Sequence, residues 1–178
     1  GARLGYWLAS EGCDVTLADL ARLTDAFYIG GTKCGALFGE ALVLGNPALQ
    51  DHFRTCMKQR GDVLAKGWLM GLQFYTLFQN GLYFDLARRA DRQAMEIKAA
   101  FQKAGIPLWV DSPTNQQFAV VTREQEAALG KDFIFELSHA VDAQHNCIRF
   151  CTSWSTRNEE VAALIAAIES LPGCEEAK

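Results

Sequence analysis

The chain has 178 residues, 49% of them hydrophobic, with a formal net charge of −4 and a pI near 5.4. That suits one domain, or one medium and one small, with ample apolar material for a core. The acidic balance leaves no electrostatic footprint for nucleic acid, and the apolar runs are too short and too often broken by glycine or charge to span a membrane.

The chain opens Gly1-Ala2-Arg3, without a methionine and without a secretory signal, so it is expected to be processed or to be part of something longer. Residues 1–11 read as a loop entering a short helical turn, with Leu4, Tyr6, Trp7 and Leu8 as its apolar contacts. Residues 16–23 have helical spacing, with Thr16 as N-cap. Residues 26–29 and 37–44 read as two strands buried on both faces, because each is a near-continuous apolar run. Asn46 as cap and Pro47 in the first turn then open a long helical stretch over 48–78, in which Gly61, Gly67 and Gly71 mark kinks. After a connection at 80–81, residues 84–104 form an amphipathic helix that places Leu86, Ala90, Ala94, Ile97 and Phe101 on one side, with Gly105 as C-cap. Arg88, Arg89 and Arg92, interleaved by Asp85 and Asp91, read as its solvated face.

From Pro107 the pattern changes to short strands at 108–110, 117–122, 133–137 and 147–152, with helices at 123–129 and 158–170. That is a small α+β unit. The expected division is 1–80 and 81–178, and the tail after Pro172 is expected to fray. The six cysteines (Cys13, Cys34, Cys56, Cys147, Cys151, Cys174) form no C-x-x-C pair, which fits reduced cytoplasmic thiols better than a disulfide frame. Cys147 and Cys151 share a strand face, but with only His145 nearby they make a poor metal site.

Between the first two strands lies Gly30-Gly31-Thr32-Lys33-Cys34-Gly35, and Lys33 is the only cation between Arg22 and Arg54. Glycines let backbone approach a ligand closely. A lysine held in apolar surroundings would be desolvated, which favours the neutral amine that forms Schiff bases. The plain alternative is a lysine in a surface turn.

Three separated segments, Gly-Ala-Arg-Leu at the start, Phe-Tyr-Ile-Gly-Gly-Thr-Lys at 27–33 and Ile-Arg-Phe-Cys-Thr-Ser-Trp at 148–154, resemble the low-specificity L-threonine aldolases. These are β-eliminating-lyase-like members of the fold-type I pyridoxal-phosphate enzymes. The resemblance runs over essentially the whole chain, which looks like the C-terminal half of such an enzyme. It implies an α/β fold: the C-terminal part of the cofactor-binding large domain (1–80), then a small α+β domain (81–178). It also implies pyridoxal 5′-phosphate as cofactor, an amino-acid substrate, a homo-oligomer, and a missing N-terminal half as partner. Lys33 matches the Schiff-base lysine, with Thr32 and Gly31 shaping its loop. Arg149 matches an arginine that binds the substrate α-carboxylate, the alternative being an ordinary strand-end arginine. Arg3 matches the arginine of an Asp-Gly-Ala-Arg motif near that carboxylate and the cofactor.

In the family a basic residue from a partner subunit reaches the cofactor phosphate; Arg60 and Lys66 lie in that region, or belong to a solvated helix face. His52, His139 and His145 do not match the family's suspected base and read as structural or surface residues. The implied reaction cleaves L-threonine or L-allo-threonine to glycine and acetaldehyde. The alternatives are another pyridoxal-phosphate β-eliminating lyase or aminotransferase, or a catalytically incomplete fragment that only assembles with its missing half.

Overall fold

A computed structural model describes residues 1–173; Cys174 and the tail expected to fray lie outside the described residues. The chain divides into two compact units, Gly1–Ala87 and a second from Arg88 onward.

The first unit begins with helix α1 (Leu4–Ala9) and helix α2 (Leu17–Leu23). Thr16 caps α2 as expected: its hydroxyl accepts from the Asp19 backbone N–H while the Asp19 carboxylate accepts from the Thr16 N–H, a reciprocal box. Strands β1 (Ala26–Gly30) and β2 (Glu40–Leu44) pair antiparallel, Tyr28 opposite Leu42. Gly1 lies along β1, its backbone nitrogen donating to the Tyr28 carbonyl at 2.7 Å and its carbonyl accepting from Gly30 N–H at 3.1 Å.

Two expectations need correction here. The strands are not buried on both faces, since only Ile29 and Gly30 of β1 are buried and β2 has no buried residue. The second strand also starts at Glu40 rather than at 37, because Gly39 takes a left-handed φ of 86° that no strand continues through.

Asn46 and Pro47 do open a helix, with the Asn46 side chain accepting from Ala48 N–H at 2.9 Å, but it is a single 3-10 turn, Pro47–Leu49. The expected continuous helix over 48–78 is in fact two, α3 (Phe53–Gln59) and α4 (Trp68–Phe78). Gly61 at φ 78° turns the chain out of the helical ladder, which does not resume until after Gly67. One face of α4 is apolar and uncovered among the described residues: Trp68 and Tyr75 are each 65% exposed, with Leu72 in the same helical register.

Helix α5 (Leu82–Lys103) is continuous and ends at Gly105 (φ 69°), where Ile106 N–H returns to the Phe101 carbonyl at 2.9 Å. The boundary between units falls within it. In the second unit, β3 (Gln116–Thr122), β4 (Glu136–Ala140) and β5 (His145–Cys151) form an antiparallel sheet in the order β3-β5-β4. Helices α6 (Arg123–Leu129) and α7 (Asn158–Glu169) supply, with α5, the rest of a core that includes Ile97, Phe101, Val121, Ile148, Leu164 and Ile168. The expected strand at 108–110 reduces to one bridge, Leu108 to Ala119, and the strand expected at 133–137 lies at 136–140.

Asp91 also departs from expectation. Arg88, Arg89 and Arg92 are exposed, but Asp91 is only 5% exposed. Its flank of α5 is covered by the segment before β3. There Lys98 holds Asp111 and the Ser112 carbonyl, and the Thr152 hydroxyl joins the Ala90 carbonyl to Asn115. Neither Asp91 oxygen is closed by a hydrogen bond of good geometry among the described residues. Burial pushes its carboxyl up to about 7, partly offset by the backbone N–H of Asn115.

Candidate active site

Lys33 sits at the centre of a one-turn 3-10 helix, Thr32–Cys34, between β1 and β2. Its backbone is fixed from several sides. The buried Tyr6 hydroxyl donates to the Lys33 carbonyl, and the buried Tyr83 hydroxyl donates to the Gly30 carbonyl at 2.9 Å. Burial, and then the neighbouring Cys34, push the Tyr83 hydroxyl well above the ordinary tyrosine range, so it stays a donor. The Gly31 carbonyl accepts from Cys34 N–H at 2.9 Å and from Ala36 N–H at 3.0 Å.

The two glycines are required by close approach. A Cβ on Gly30 would lie 2.5 Å from Ala2 Cα, and one on Gly31 would lie 2.8 Å from both Ala36 Cβ and the Gly39 carbonyl oxygen. Cys34 and Gly31 are buried, while Thr32 and Lys33 are exposed. The expectation of a desolvated lysine is therefore corrected. The turn buries its own backbone and Cys34 and presents the lysine side chain outward. What results is a rigid pedestal under an accessible amine.

The contact of Ala2 with Gly30 brings the start of the chain against this turn. Arg3 follows at once as the N-cap of α1, half-buried, and its guanidinium makes no hydrogen bond or ion pair among the described residues.

Arg149 belongs to the second unit, at mid-strand on β5, directly opposite Glu136 on β4 and Phe118 on β3. Its Nη1 donates to Gln116 Oε1 at 3.1 Å and its Nη2 to Glu136 Oε2, while Nε is buried with no partner among the described residues. The guanidinium is therefore held at two nitrogens, by Gln116 and Glu136.

The histidines lie elsewhere. His52 is exposed beside Asp51, and His145 shares its Nδ1 with the Asp142 carboxylate at 2.9 Å on the surface. His139 packs edge-on against Trp109. Arg60, the C-cap of α3, and Lys66, between α3 and α4, are exposed. Sequence reasoning missed Tyr6, Tyr83, Gln116 and Glu136. The tyrosines act on backbone carbonyls 27 and 53 residues away, which no local pattern announces.

No family model matches the chain. The low-specificity L-threonine aldolase of Pseudomonas sp. (strain NCIMB 10558) is 25% identical over 173 residues, covering 96% of this chain and 49% of that protein. Among solved structures, that of Leishmania major threonine aldolase superposes with a TM-score of 0.91 at 41% identity, over 95% of this chain and 49% of that one. Sphingomonas wittichii serine palmitoyltransferase gives a TM-score of 0.63 at 13% identity, over 93% and 44%, a likeness of fold alone. The chain spans about half the length of the relatives it matches. The resemblance to the threonine aldolases is borne out, and so is the α/β fold, which matches about half of each of these larger chains.

Proposed function

We propose that this chain supplies part of a pyridoxal-phosphate-dependent carbon–carbon lyase, one that cleaves L-threonine or L-allo-threonine to glycine and acetaldehyde. The observation that carries this reading is the pedestal: an exposed lysine amine on a backbone locked by two buried tyrosine hydroxyls and two glycines. The similarity to threonine aldolases supports the substrate class.

The residues present fit the cofactor. Lys33 would hold it covalently through its ε-amine, with Gly31 and Thr32 shaping the turn. The unpartnered Arg3 guanidinium suits an anionic cofactor or substrate group. When bound, the cofactor supplies an electron sink for the electron pair released at Cα. The chain's own residues bind and orient. Arg149 would take the substrate α-carboxylate, aided by Arg3, and fixing that group restricts rotation about Cα and so selects which bond breaks. The base that takes the β-hydroxyl proton is not assigned to His52, His139 or His145.

The partner reading is also ours. The uncovered apolar face of α4, centred on Trp68, Leu72 and Tyr75, would be covered in a homo-oligomer or by the other half of the enzyme. We place the protein in the cytoplasm on its scattered cysteines. Among the described residues no helix is long and apolar enough to cross a membrane.

The test is a threonine-cleavage assay on the assembled protein with added cofactor. Glycine and acetaldehyde should form in equal amounts and vanish in Lys33→Ala. Deamination of threonine without glycine would instead point to the other lyases.

A further inference from the structure

The guanidinium of Arg149 is already occupied by a carboxylate. Glu136 stands opposite it across the β4–β5 ladder and accepts from Nη2. This contact uses one nitrogen of a group built to meet a carboxylate with two parallel hydrogen bonds. The second nitrogen of that edge, Nε, is buried and unpartnered, which is unfavourable for a donor on a charged group. Gln116 holds Nη1 from the other side, so the guanidinium keeps one anchor when Glu136 leaves.

The two partners differ in freedom. The Arg149 side chain is 23% exposed, whereas that of Glu136 is 64% exposed. Glu136 can swing into water at little cost, because an ion pair with so exposed a partner is weak. A ligand carboxylate would replace Glu136 at Nη2 and, as that edge opens, its second oxygen would reach the orphaned Nε–H. It could not share that edge with Glu136, since two carboxylates there repel.

We propose that Glu136 is an internal competitor: it occupies Arg149 in the absence of ligand and lowers the affinity of the site for ligand carboxylates. This rests on the reading of Arg149 as the α-carboxylate binder. Glu136 acts through Arg149 and is a positioning residue, whose effect is to set the ligand concentration at which the arginine changes partners.

The test is a titration of the 15N-labelled full chain with acetate, following the Arg149 Nε–Hε resonance, which is assigned by its loss in Arg149→Lys, together with the backbone amide resonances of β5, which report binding in every variant. The isosteric Glu136→Gln should bind acetate about two- to fivefold more tightly than wild type, the range expected from removing a weak competing ion pair. A purely structural glutamate would leave the affinity unchanged or weaken it on substitution. Equal or weaker binding by Glu136→Gln, with the acetate response lost in Arg149→Lys, would overturn the competitor while leaving the carboxylate role of Arg149 standing. An acetate affinity unchanged in Arg149→Lys would overturn both.

Discussion

Replacing Asp91 with asparagine should stabilise the second unit, and the gain should depend on pH. The carboxyl is 5% exposed, has no well-formed hydrogen bond among the described residues, and is pushed by burial up to about 7. An unfolded aspartate ionises near 3.9. Between those values the native state keeps a proton that the unfolded state has released, so stability falls as pH rises through this window and levels off above it. At about 1.36 kcal/mol per pH unit the full loss is at most roughly 4 kcal/mol, of which about 2–3 kcal/mol falls between pH 5 and pH 8. An asparagine side chain in its place has no such titration. Urea denaturation followed by tryptophan fluorescence should show the stability difference between Asp91→Asn and wild type growing by about 2–3 kcal/mol from pH 5 to pH 8. A difference that is the same at both pH values would refute the burial of a protonated carboxyl at this position.

Three further outcomes are expected. Gly30→Ala places a Cβ 2.5 Å from the Ala2 backbone and should lower stability by about 1–3 kcal/mol in thermal unfolding, while displacing the start of the chain from the lysine turn. Tyr83→Phe leaves the buried Gly30 carbonyl without its hydroxyl donor; about 1–2 kcal/mol should be lost, measured by denaturant titration. Leu72→Glu introduces charge on the apolar face of α4 and should shift light scattering coupled to gel filtration toward monomer.

Much of the local structure was legible because its causes are local. Thr16 with Asp19 three residues on, and Gly105 after a 3.6-residue apolar repeat, each carry their partner within one turn of chain. The lysine turn was legible as glycine flanked by apolar residues. The exposure of Lys33 was not, because a single 3-10 turn decides which side chain goes outward. Asp91 looked like part of a solvated face because its neighbours are arginines, and the segment that buries it comes some twenty residues later in the chain. The Glu136–Arg149 contact depends on register, and the β4–β5 ladder is irregular between Leu137 and His139, so alternation alone could not align the pair. The break between α3 and α4 needed the left-handed Gly61, where sequence shows only another helix-weakening glycine.

The central claim is that Lys33 is the residue that carries the cofactor. Borohydride reduction of the protein with added pyridoxal phosphate, followed by peptide mass mapping, tests it directly. The account predicts a pyridoxyl group confined to the peptide containing Lys33 and absent in Lys33→Ala. Label spread evenly over the lysines, or concentrated on another one, would contradict it.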